Sequence, residues 1–196
     1  MDPNLACLVA DFEHGAIRQI RRLQTTFLDI TCARSESPLL EASYRIHYCG
    51  KREFKLRRGR VTSLVLLTDH PLLVDYEEDY KEFYIASLVS DKPGFISKLR
   101  DAIAHKSEGW RTLEDYANEV PLMELLDKNY GFLASVPSSF AEGISNIAGE
   151  SGITLSVLSK KKGFVQRGRP RSDPQVLVMD KYYVVADGFE AELLTK

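Results

Sequence analysis

This chain of 196 residues is poor in cysteine, with three, and in histidine, with four, and it has a single tryptophan. Cys7, Cys32 and Cys49 are odd in number and widely spaced, and no CxxC pair occurs. That excludes the framework of a small disulfide-stapled domain and predicts reduced thiols packed as small apolar side chains. A zinc site built from Cys32, His47 and Cys49 would need Cys7 or a distant histidine as fourth ligand, whereas structural zinc usually takes close-set pairs. Long apolar runs are missing too. The longest, around Val61 to Leu67, is strand-sized and far from the ~20 residues of a membrane span. The opening MDPNLACLVADFEHG is acidic and lacks the cationic start of a secretory signal. The expectation is a cytoplasmic protein with no membrane partner. No GxSxG elbow, Walker loop, GxGxxG or HExxH is present, so no cofactor is expected and no catalytic residue is assigned.

What is present is ordinary for a globular chain: 44% hydrophobic and 28% charged residues, enough to build a substantial core. Residues 4–23 carry apolar side chains at three- and four-residue spacing (Leu5, Leu8, Val9, Phe12, Ala16, Ile20, Leu23). They predict a helix capped by Asn4, with Arg18, Arg21 and Arg22 opposite. Short strand-like segments follow. TTFLDITCA is β-branched and apolar. SYRIHYC alternates, with Tyr44, Ile46 and Tyr48 on one face and Arg45 and His47 on the other. EFKL should turn Phe54 and Leu56 inward, and RRGR should turn at Gly59. VTSLVLLT, apolar on both faces, predicts a central strand. EFYIASLV is another strand. Asp91 and Pro93 then signal a helix start, with Phe95, Ile96, Leu99, Ala102 and Ile103 buried. PLMELLDKNYG should end at Gly131. FLASV, a helix opened by Pro137 to Ser139, ITLSVLS, and a QVLVMD–YYVVAD hairpin around Asp180 and Lys181 complete the pattern, while FEAELL is ambiguous. Helices and strands do not alternate regularly. The fold class expected is α+β, a mainly antiparallel sheet of short strands packed with about four helices. The organisation expected is one domain over 1–196, any subdivision falling between 1–106 and 120–196.

A net charge of −2 hides a segregation. Segments 18–22, 51–60 and 160–171 hold 15 of the 26 lysines and arginines and one acid, Glu53, in 27 residues. The remaining 169 residues hold 11 cations against 27 acids. Such a pattern is the footprint of a polyanion-binding surface if the segments converge. The residues assigned to it are Arg57, Arg58 and Arg60, and Lys160, Lys161, Lys162, Arg167, Arg169 and Arg171. Within the last group, Arg167-Gly168-Arg169-Pro170 resembles the core of an AT-hook. That resemblance implies an extended segment in the minor groove of A·T-rich DNA, where narrow walls concentrate negative potential. It covers four to eight residues, and here they fall between strand-like segments.

The acidic counterpart is DYEEDYKE, residues 75–82, whose carboxylates are of the kind a divalent ion would take. A magnesium nuclease of the PD-(D/E)xK type would draw on Glu53-Phe54-Lys55 or Asp79-Tyr80-Lys81, with Asp29 or Asp69 upstream. About 1.7 such triplets are expected by chance from this composition and two occur, so the motif is uninformative. His70, before Pro71, is the most site-like histidine, and capping is its simpler role. Tyr44 and Tyr48 read as core residues of a strand.

The expected function is therefore a non-catalytic, nucleic-acid-associated or regulatory protein acting through segregated basic loops. The alternative is a protein-interaction module of immunity, inhibitor or adaptor type, with a protein partner of opposite charge. The magnesium nuclease is third.

Overall fold

The structure is a computed structural model, and it describes residues 2–14, 18–24, 26–33, 41–160 and 173–195. The chain opens with helix α1 (Pro3–His14). Strands β1 (Arg18–Leu23), β2 (Phe27–Ala33), β3 (Glu41–Cys49), β4 (Glu53–Lys55), β5 (Gly59–Arg60) and β6 (Val65–Leu67) follow. After a 3₁₀ turn at Pro71–Leu73 come α2 (Val74–Glu77), β7 (Tyr80–Ile85), α3 (Lys92–Lys106), α4 (Leu122–Lys128), β8 (Gly131–Pro137), α5 (Ala141–Glu150) and β9 (Leu155–Lys160). Strands β10 (Gln175–Met179), β11 (Tyr182–Ala186) and β12 (Gly188–Thr195) end it. Every strand pairing among the described residues is antiparallel, and four helices have seven residues or more, which makes the fold α+β.

The chain divides into two compact units. The first comprises residues 1–73 and 170–196, and the second is the continuous stretch 74–169. Both breaks lie away from the 106–120 region, which runs inside the second unit. No helix among the described residues is long and apolar enough to cross a membrane.

The first unit contains a five-stranded sheet, order β12-β3-β2-β1-β5, and a four-stranded sheet, order β4-β11-β10-β6. The alternation of β3 is realised: Ala42, Tyr44, Ile46 and Tyr48 are buried and the residues between them are not. Leu28, Ile30 and Ile46 of one sheet, Leu177, Met179 and Val184 of the other, and Leu5, Leu8 and Phe12 of α1 share one core. Tyr44 donates to the buried Asp11 carboxylate of α1 at 2.6 Å. Burial and that carboxylate hold the Tyr44 phenol well above its ordinary pKa.

Several expectations are corrected. The predicted helix over 4–23 stops at His14, and residues 18–23 form a strand instead, with Ile20 opposite Ile30. Its cap is Asp2, which accepts from Leu5 N at 2.9 Å, not Asn4. The predicted central strand 61–68 is only β6, at a sheet edge. The reason is a tertiary contact: the Asp180 carboxylate accepts from the amides and hydroxyls of Thr62 and Ser63, which commits those residues to a turn. FEAELL is strand β12, paired along β3.

The second unit places β7 between β8 and β9 and packs α3, α4 and α5 around one core. Asp91 caps α3, Phe95, Ile96, Leu99 and Ile103 are buried, and Ala102 is half-buried. Helix α4 ends on Asn129, which takes the left-handed conformation expected of Gly131; Gly131 begins β8.

Candidate polyanion-binding surface

Segment 51–60 connects the edges of the two sheets of the first unit. Strand β4 forms the edge of the four-stranded sheet, with Glu53, Phe54 and Lys55 opposite Val185, Val184 and Tyr183. Leu56 then packs against the core, and β5 joins the edge of the five-stranded sheet. Gly59 makes the step into β5 with φ of +142°, a backbone that a side chain would strain, although the space around it is open.

Two of the segment's six cations are engaged. The Arg52 guanidinium meets Asp187 at 2.6 Å, and Lys51 Nζ lies 4.2 Å from the centroid of the Phe54 ring. The Glu53 carboxylate accepts from the Tyr183 hydroxyl. Lys55, Arg57, Arg58 and Arg60 are exposed, and none has an acidic partner among the described residues.

The register brings a second basic segment alongside. Gln19 is opposite Arg60 and Ile20 is opposite Gly59, so β1, which carries Arg18, Arg21 and Arg22, is the neighbour of β5. Two of the three basic segments are thus adjacent in one unit. Of the third, only Lys160 is described. Lys160 ends β9 in the second unit, where its ammonium donates to Glu82 at 2.9 Å. Lys161, Lys162, Arg167, Arg169 and Arg171, and with them the AT-hook-like element, lie outside the described residues.

One residue beside this surface was misread. Phe54 does not turn inward; it is 49% exposed. A strand of three residues at a sheet edge has no layer beyond it to cover the ring. The signal available in sequence was its setting between charged residues on both sides.

Of the acidic run 75–82, the carboxylates of Asp75, Glu78 and Glu82 bond within the second unit. Asp75 and Arg111, each with a side chain only 10% exposed, pair at 2.7 Å, and Asp75 also accepts from the hydroxyls of Tyr116 and Tyr80. Burial first, and then the Asp75 charge, raise the Tyr116 phenol far above its ordinary pKa. Glu78 accepts from Ser139 N at 2.7 Å, and Ser138 donates to the Asp79 carbonyl. Hydrogen bonds from Lys160 and Tyr84 hold Glu82 below its ordinary pKa.

The metal-based alternatives find no assembled ligand set. Among the described residues, no group of three or more His, Cys, Asp or Glu could hold an ion. Cys32 is buried opposite Ala42 on the core face of the sheet, whereas His47 and Cys49 lie on the other face of β3. For the nuclease trio, Asp29 is tied to Arg45 at 2.8 Å in one sheet and Glu53 to Tyr183 in the other. Lys81 donates to Ser159. His70 caps its turn, its Nδ1 accepting from Leu72 N at 3.2 Å.

The second unit also has a cleft of about 620 Å³ between α3 and residues 114–123. Ile96, Val120, Leu122 and Met123 line it, and an exposed Arg100–Glu114 ion pair of 2.6 Å stands on its wall.

Against this geometry the comparisons are silent. No family model, no curated protein and no solved structure matches this chain.

Proposed function

We propose that the protein binds a polyanion, nucleic acid being the main class, through the exposed cations of segment 51–60 beside strand β1. The observation that supports this most is the β1–β5 register, which joins two basic segments that are 28 residues or more apart in the chain. Exposed arginines gain from releasing counterions around phosphates, and Arg57, Arg58 and Arg60 give up no ion pair with any described residue to do so.

Binding is tested with labelled duplex and single-stranded DNA at 50 and 200 mM salt. The wild-type chain is compared with an Arg57/Arg58/Arg60 triple alanine variant. The expected result is salt-sensitive binding, with the log–log salt slope of the variant shallower by about 2 to 3. No binding by the wild-type chain at the lower salt overturns the reading.

The cleft of the second unit favours a second reading, a protein-interaction module that accepts an apolar anchor there. That reading requires partner binding that survives 200 mM salt and the triple variant, and that is lost on Met123→Glu at the exposed lip.

A further inference from the structure

The basic edge of the first unit exposes an aromatic ring as well as charge. Phe54 stands at the centre of β4, half-exposed, with Lys51 against its ring. Lys55 follows at once, and Arg57 and Arg58 come within four residues. Phe54 lies opposite Val184, a fully buried core residue, yet it remains in water because β4 is the last strand of its sheet. The span from Phe54 to Arg60 is at most about 20 Å along an extended chain. An aromatic face and phosphate-binding cations are therefore held on one short stretch.

A duplex offers such a surface only its backbone, because its base faces are already stacked on one another. A single strand offers phosphates and free base faces together, and both parts of the edge then gain. We infer that the β4 edge binds single-stranded nucleic acid, with a base stacked on Phe54 and the adjoining phosphates met by Lys55, Arg57 and Arg58. This rests on the polyanion reading and narrows it to one substrate class.

The test is fluorescence anisotropy on the full chain, with labelled oligo(dT) and a duplex of equal length at 50 mM salt. Four proteins are compared: wild type, Phe54→Ala, Phe54→Trp, and the Arg57/Arg58/Arg60 triple alanine variant. Circular dichroism confirms that each is folded, which the exposure of Phe54 favours. The expected result is that Phe54→Ala weakens oligo(dT) binding about tenfold or more, leaves duplex binding within twofold, and is rescued in Phe54→Trp. The triple variant weakens both. If Phe54→Ala leaves oligo(dT) affinity unchanged, or weakens both ligands equally, stacking is overturned while the polyanion reading stands. If the wild-type chain binds neither ligand, both fall.

Discussion

Asp180 shows what one carboxylate does here. It sits at φ of +55° in the β10–β11 hairpin, a conformation that aspartate tolerates better than most residues. Burial alone would raise its pKa, but the hydrogen bonds from Thr62 and Ser63 outweigh burial and leave it below the ordinary aspartate value of about 3.9. A carboxyl whose folded pKa is depressed contributes stability that is full above the unfolded value. That stability is lost as pH falls through the folded value. Asp180→Asn keeps a residue tolerant of left-handed backbone and removes the charge. The expected outcome is a lower urea midpoint at pH 6, with the gap to wild type closing as pH falls from about 4 towards 2. A gap that stays constant across that range would show that the charge is not what holds the turn.

Elements are set by carboxylate bonds too, and some of these are local. The Asp91 carboxylate accepts from Gly94 N at 3.0 Å and starts α3. A Cβ at position 94 would come within 2.0 Å of the other Asp91 oxygen. Glycine inside a helix ordinarily costs about 0.5–1 kcal/mol relative to alanine, and loss of a cap costs ~1 kcal/mol. Gly94→Ala should therefore be neutral or destabilising in the wild-type chain and stabilising in an Asp91→Ala background. Thermal melts of the two single variants and the double variant measure this coupling, and additive effects would contradict it. Caps of this kind are legible in sequence, as the start of α3 was. Strand β1 was not. Its apolar residues at 20 and 23 continue the helical spacing of α1, and only pairing with β2 and β5 distinguishes a strand from another turn of helix.

At the scale of the whole molecule, the second unit is inserted in the sequence of the first, which leaves at Leu73 and returns at Pro170. Each unit has its own buried core. Residues 74–169 produced alone should therefore melt cooperatively, with the circular dichroism of mixed helix and strand. A gradual, non-cooperative melt would show that its core is incomplete without the rest of the chain. The charge segregation also belongs to this scale. That the cations form blocks was visible from composition along the chain. That segments 18–22 and 51–60 meet, while Lys160 pairs with Glu82, followed only from strand order.

The sequence by itself determined the α+β class, the alternation of β3, the β10–β11 hairpin and the start of α3. These rest on periods of two and 3.6 residues and on caps within three or four residues, all of which are local. It also determined that the cations are clustered. Tertiary structure decided where a strand ends a sheet, which acids are consumed as partners, and which cations are left to face water. Those outcomes depend on pairings between residues tens to more than a hundred positions apart, such as Thr62 with Asp180 and Asp75 with Arg111. Phe54 is the clearest case. Its chemistry is written in the chain, but its exposure follows from β4 being the last strand of its sheet.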